Sequence, residues 1–206
     1  MEYDVVVVGG GPSGLATAIK FAQLNNENGT NYSICLLEKG SEIGAHILSG
    51  NVFQPNALDE LLPNWKELGA PLNTPVKKDK LLFLLEKIGI PVPSFLMPPM
   101  NNHGNYVISL GNLCRWLGEQ AESLGVEVFP GFPASQLIIE NDKVVGVQTG
   151  DMGISESGEL KPGHEPGINI RAKYTILGEG CRGHLGKQVI HKFNLSENKE
   201  IGRAHV

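Results

Sequence analysis

Residues 3–14 read Tyr-Asp-Val-Val-Val-Val-Gly-Gly-Gly-Pro-Ser-Gly, and this stretch decides the fold. Four consecutive β-branched residues, Val5 to Val8, describe a strand buried on both faces, as in a parallel sheet. Gly9, Gly11 and Gly14 follow with the spacing G-x-G-x-x-G. Residues 15–22 then place Leu15, Ala18, Ile19 and Ala22 on one helical face. Each glycine has its own work in a strand–turn–helix junction. Gly9 permits the tight turn, Gly11 lets a diphosphate approach the backbone, and Gly14 lets helix and strand pack closely. Pro12 and Ser13 sit at the helix N-terminus, where free N–H groups and the positive dipole end favour an anion. A glycine-rich turn without a ligand is the competing reading, weakened by the strand before it and the helix after it.

Working outward, residues 32–37 read as a second strand with Glu38 at its end, 24 positions past Gly14. An acid about 20 residues beyond the glycines accepts hydrogen bonds from a ribose diol. It repels a 2′-phosphate, so NADP is disfavoured, while FAD and NAD both stay open. A solvated strand-end charge is the plainer alternative for Glu38. Lys39 joins the same set of binding candidates. Residues 39–50 carry three glycines and two serines, an extended segment that either tracks a cofactor or is an ordinary surface loop. In the first case Ser49 and Gly50 offer backbone N–H groups near a flavin ring edge. His46 reads as structural, because no partner acid stands near it.

Composition narrows the classes. The chain has 206 residues, 41% hydrophobic and 19% charged, enough for one large domain with a core. A net charge of −5 without a basic block argues against a nucleic-acid partner. Cys35, Cys114 and Cys181 are far apart and form no C-x-x-C, so no zinc or iron–sulfur site is expected from these residues alone. Neither a signal peptide nor an apolar run of spanning length is read in the sequence.

Further along, residues 55–62 read as a short helix with Asn56 as its cap, and 80–87 as a strand or a short helix. Residues 88–100 mix large apolar residues with four prolines, which excludes a central strand or regular helix. Residues 106–110 read as a strand. Residues 112–124 read as a helix capped by Asn112 and ended by Gly125. Residues 126–129 read as a strand, and 137–139 with 144–149 as a hairpin turning at Asn141-Asp142. Residues 151–169 read as a loop or hairpin. Residues 170–177 read as a buried strand entering Gly178-Glu179-Gly180, with a helix from His184 to Phe193. Two strand–glycine–helix junctions suggest one long cofactor held at two points, with the second helix aiming its N-terminus at it. This favours FAD over NAD. Arg182 either neutralises phosphate or faces water.

The two glycine junctions with Glu38 resemble the FAD fingerprints of the glutathione-reductase-like flavoproteins, although Glu179 stands where that family has Asp. Residues 38–50, 65–76, 100–106 and 118–131 are similar to the electron-transfer flavoprotein–ubiquinone oxidoreductase family, over about residues 1–196. The fold the resemblance implies is α/β, an FAD/NAD(P)-binding Rossmann-like parallel sheet with an inserted β-rich segment, truncated at the C-terminus. FAD is then bound by Gly9, Gly11, Pro12, Ser13, Gly14, Glu38, Lys39, Ser49, Gly50, Ala134, Gly178 and Gly180, with Ala134 presenting backbone to the adenine. An arginine used by some relatives has no counterpart near Leu110, and Arg115 is not a substitute.

The same resemblance implies electron transfer from reduced electron-transfer flavoprotein to ubiquinone, on a membrane surface without spanning it, at the bacterial or mitochondrial inner membrane. A segment of about 51–105 faces quinone and membrane, with the apolar face near Gly50 to Pro71 and Phe95 to Met100. The family's 4Fe-4S cluster has no ligands here, so the chain reads as the N-terminal part of a longer protein, and 197–206 as a non-native tail. No catalytic side chain and no metal ligand are assigned. A soluble FAD-dependent hydroxylase or polyprenyl reductase using NAD(P)H, or an inactive fragment, are the alternatives.

Overall fold

The computed structural model describes residues 1–93, 100–154 and 159–196. Its main sheet joins β1 (Glu2–Val8), β2 (Ile34–Glu38), β7 (Glu127–Pro130), β8 (Ala134–Glu140), β9 (Lys143–Thr149) and β12 (Asn169–Leu177) in the order β7-β2-β1-β12-β9-β8. The pairs β7–β2, β2–β1 and β1–β12 are parallel, whereas β12–β9 and β9–β8 are antiparallel. The sheet is therefore mixed and mostly parallel.

Period-two alternation divides the valines of β1 between two cores. Val5 and Val7 face α1 (Pro12–Asn28) and α3 (Leu110–Ser123), with Leu15, Ile19, Leu36, Leu113 and Trp116 buried beside them. Val6 and Val8 face the opposite side with Cys35, Leu37, Val147, Ile170 and Leu185 of α4 (His184–Lys192). Burial on both faces is what the unbroken valine run requires.

Helix ends differ from the sequence expectation in two places. Ser109, not Asn112, caps α3, its hydroxyl accepting the Asn112 N–H at 3.4 Å. Asn112 lies inside the helix and accepts from Arg115 at 3.0 Å. Asn56 is likewise the first residue of α2 (Asn56–Leu61), with Pro55 in the capping position. Glycine ends α1 at Gly29, φ +63°. The β8–β9 turn holds Asn141 and Asp142 at φ 49° and 55°, the left-handed pair that a two-residue hairpin favours.

Outside the main sheet, β3 (Ser49–Phe53) pairs with β6 (Tyr106–Ser109), and β10 (Met152–Ile154) with β11 (Leu160–Glu165). The ambiguous 80–87 segment supplies β4 (Leu81–Leu84), antiparallel to β5 (Gly89–Val92) in a separate two-stranded ribbon. Pro91 is tolerated there because a ribbon of two strands has only edges.

Much of the expected apolar face between Gly50 and Pro71 is turned inward, although Val52 and Leu68 stay exposed. Leu58, Leu62, Trp65 and Ala70 are buried in the α1–α3 core, and Trp65 donates its indole N–H to Asp59 at 2.7 Å. Exposed apolar side chains gather instead on the ribbon, at Leu82, Phe83, Leu84, Leu85, Ile88 and Ile90. Residues 94–99, and so most of the expected face at Phe95 to Met100, lie outside the described residues, as does 197–206.

Candidate functional site

The carboxyl ends of β1, β2 and β12 open on one groove of about 430 Å³. Open α/β sheets place ligands at such an edge. Gly9, Gly11, Pro12, Ser13, Glu38, Lys39, Ala134, Gly178 and Gly180 line it together.

Space around the glycines explains their order. A Cβ on Gly14 would strike the Gly9 carbonyl oxygen, and one on Gly178 would come within 3.0 Å of the Gly14 Cα. A Cβ on Gly9, held at φ +109°, would stand 2.5 Å from the Gly178 carbonyl oxygen. These three glycines therefore close a backbone seam. Gly14 works beneath the groove and does not line it. Gly11 differs, since a Cβ there would meet no atom within 4 Å. Its open side is the place where a ligand could approach backbone.

The seam also changes the reading of the second junction. Because β12 lies beside β1, and Gly178 N–H donates to the Val8 carbonyl at 2.7 Å, the two junctions are neighbours instead of distant anchor points. Their helices are not equivalent. The N-terminus of α1 has no side-chain cap and no acid in its first turn. The N-terminus of α4 is filled: Glu179 accepts from His184, Leu185 and Gly186 N–H at 3.1, 3.1 and 2.8 Å. The expectation that α4 aims free N–H groups at a ligand is thus corrected, because a resident carboxylate already takes them.

Glu38 is also engaged. Its two oxygens accept from Gly10 N–H at 2.8 Å and Gly40 N–H at 2.7 Å, tying the glycine turn to the end of β2. A carboxylate has about four acceptor sites, so two remain for a ribose diol. The backbone around Glu38 is fixed by Gly131 N–H donating to Gly40 O at 2.7 Å and Phe132 N–H to Glu38 O at 2.9 Å. Pro133 and Ala134 follow directly and form the facing wall.

Residues 39–47 form a strap across the groove, and Gly44, His46 and Ile47 line it. The strap folds through turns closed by Ala45 N–H to Glu42 O and Ile47 N–H to Gly44 O, at 3.3 and 3.2 Å, in place of the expected extended run. That turn carries Ser49 and Gly50 out of the groove to the exposed start of β3, where Ser49 pairs with Ser109. His46, Glu179 and His184 also line the groove without a spacing signal that marks them as ligands, and Arg182, read as either a phosphate partner or a solvent-facing cation, lines it as well. Arg115 is occupied elsewhere, donating to Glu42 at 3.1 Å.

Electrostatically, the carboxylates on the groove are both satisfied by backbone N–H groups, while Lys39 and Arg182 stand exposed at its rim. An anion entering beside Gly11 meets the uncapped N-terminus of α1. The two buried thiols are inert: burial first, and then the charge of Glu38, pushes Cys114 up to about 11, and burial first, and then Glu127, pushes Cys35 up to about 12.

Comparison with known proteins agrees with this geometry. A family model described as NAD(P)-binding Rossmann-like domain matches residues 7–71. The electron transfer flavoprotein-ubiquinone oxidoreductase of Pseudomonas aeruginosa is 55% identical over 204 residues, 97% of this chain and 37% of its own length. The mitochondrial protein of that name from Arabidopsis thaliana is 48% identical over 100% of this chain and 32% of its own. Among solved structures, a geranylgeranyl bacteriochlorophyll reductase-like protein from Thermoplasma acidophilum matches with a TM-score of 0.65 and 26% identity, over 90% of this chain and 41% of that one. An FAD-dependent myxobacterial chondrochloren halogenase, TM-score 0.62 and 18% identical over 90% and 39%, shares the fold. The chain spans about a third of the length of the two oxidoreductases. It has the Rossmann-like fold seen in FAD-dependent oxidoreductases, and in sequence it is a relative of the electron transfer flavoprotein–ubiquinone oxidoreductases.

Proposed function

We propose that this chain is the FAD-binding part of an electron-transferring-flavoprotein dehydrogenase, passing electrons from reduced electron transfer flavoprotein to ubiquinone at a membrane surface. The observation that carries the dinucleotide assignment is the empty N-terminus of α1 over the open side of Gly11, Glu179 filling that of α4, and an FAD-dependent neighbour of the same fold supports FAD as that dinucleotide. The residues fit a dinucleotide. Gly11, Pro12 and Ser13 would face the diphosphate, Glu38 the adenosine ribose, Lys39 and Ala134 the adenosine end, and Gly178 and Gly180 the ribityl side. Bound FAD supplies the redox chemistry, and the chain's residues bind it, orient it and exclude water.

The names and identities of the relatives support the electron donor and acceptor. A 4Fe-4S cluster belongs in this reading to residues outside these 206, among which Cys35, Cys114 and Cys181 do not gather. Monotopic docking on a bacterial or mitochondrial inner membrane is supported by the β4–β5 ribbon. It exposes Phe83 at 61% and Leu84 at 73%, with exposed Lys77, Lys78, Lys80 and Lys87 around them outnumbering Asp79 and Glu86. Apolar side chains with a basic collar suit a membrane interface. Among the described residues no helix is long and apolar enough to cross a membrane. A hydroxylase or polyprenyl reductase using NAD(P)H shares the fold, but the solved reductase-like structure is 26% identical against 55% for the Pseudomonas protein.

Titration of the purified chain with FAD, followed by flavin fluorescence, tests the assignment. One FAD per chain is expected, and Gly11→Leu, which fills the open side of the turn, should abolish it. Absence of FAD binding, or NADPH binding in its place, would overturn the assignment.

A further inference from the structure

The G-x-G-x-x-G spacing leaves Gly10 without a role, yet the structure gives it one. Gly10 has no left-handed φ, so its small size answers to space. A Cβ there would lie 2.6 Å from the Ile43 Cδ1 and 2.9 Å from the Glu38 Oε2. Ile43 is the buried anchor of the strap, 7% exposed, and its other side packs on Gly118 of α3. One residue further, Gly44 (φ +86°) lies backbone to backbone on Gly111 in the first turn of α3. A Cβ on Gly44 would strike the Gly111 carbonyl oxygen, and one on Gly111 would come within 2.9 Å of the Gly44 carbonyl oxygen. The Glu42–Arg115 ion pair, both partners exposed, closes the same seam at the surface.

The geometry points to Gly10, Ile43 and Gly111 as positioning residues that set the height of the strap over the cofactor groove. Strap residues Gly44, His46 and Ile47 form a wall of that groove, whereas Gly111, Gly118 and Ile43 do not line it. The seam links the glycine turn, the strap and α3 as one rigid frame. A displacement at the Gly44–Gly111 contact moves the wall without touching Glu38 or Ala134, whereas one at Gly10 also crowds Glu38. The inference rests on the FAD reading for its ligand, but the strap's register can be measured without one.

The test uses the full chain and three readouts: amide exchange at Ala45 and Ile47, affinity for FAD, and affinity for AMP, which reaches only the Glu38–Ala134 end. Gly111→Ala forces the strap off α3. Overpacking of this kind predicts about tenfold faster exchange at both amides and about tenfold weaker FAD binding, with AMP affinity unchanged. Gly118→Ala, whose Cβ would make an ordinary 3.4 Å contact, should leave all three readouts unchanged. Gly10→Ala crowds Glu38 as well as Ile43, so adding Ile43→Val, which deletes Cδ1, should restore only part of its FAD affinity. Unchanged exchange at the strap in Gly111→Ala overturns the inference. So does parallel weakening of FAD and AMP, which would report a general loss of fold. If the wild-type chain fails to bind FAD, the proposed function falls, and amide exchange alone then decides the strap's register.

Discussion

Replacing Glu179 by alanine removes the acceptor for three N–H groups at the start of α4. Losing a side-chain cap costs about 0.5–2 kcal/mol. Losing a negative charge beside a helix N-terminus costs a further 0.3–1 kcal/mol or so. The groove is open, so water takes over part of the bonding, and roughly 2 kcal/mol is expected for Glu179→Ala. Glu179→Gln keeps an acceptor and loses the charge, so about half of that is expected. In a chain of this size each kcal/mol moves the melting temperature by about 2–4 °C. Alanine should therefore lower it by roughly 4–8 °C and glutamine by roughly 2–4 °C. Thermal melts and urea titrations of the three proteins, with the two-state criterion checked by a second probe, give the comparison. Two variants that both melt with the wild type would refute the assignment of Glu179 as the cap of α4.

Gly9→Ala should destabilise the chain by about 3 kcal/mol or more in urea titration, since it combines a left-handed φ with a backbone collision at Gly178. In the native chain at neutral pH one thiol, the exposed Cys181, should react with a disulfide reagent, and denaturation should release Cys35 and Cys114. Asp4 has its pKa lowered, chiefly by the Lys173 hydrogen bond and then by Ser33 backbone. The folded form thus holds its charge to lower pH than the unfolded one. The contribution is full above the unfolded carboxylate value and is lost as pH falls through the folded one. Asp4→Asn should accordingly flatten the acid limb of a stability–pH curve and leave neutral-to-alkaline behaviour parallel. Phe83→Asp with Leu84→Asp should cut co-sedimentation with lipid vesicles about tenfold or more while FAD binding is retained.

Much of the fold was legible because local signals and packing agreed. The valine run of β1 must be buried twice over, and the glycines after it permit only the turn observed. The cap of α3 was misplaced because Ser109 also reads as the last residue of a strand, and Asn112 has the same capping chemistry three positions later. The apolar residues of 51–72 could not be assigned a side from spacing alone. Whether Trp65 meets lipid or core depends on α1 and α3, elements distant in sequence. The groove was legible at Gly9, Gly11 and Glu38, where one strand end carries the whole pattern. Its strap was not, because Gly44 is a glycine for the sake of Gly111, and nothing in linear order connects them. Glu179 shows the same limit: its carboxylate serves the next helix, a geometric fact its position in a glycine turn does not encode.

The position of β12 between β1 and β9 bears on how the chain is made. β1 can pair with β2 as soon as residue 38 is available, and that closure is local. Its other edge waits for residues 169–177, each paired β1 residue facing one 169 positions further along the chain. Until then this apolar strand presents an unpaired row of backbone groups and an incompletely covered Val6–Val8 face, the condition under which nascent chains self-associate. Completion of the sheet therefore comes after most of the described elements are made, and is slow by contact order. Because Gly178 N–H closes on Val8 in that same step, the groove can exist only in chains that have been finished through this strand.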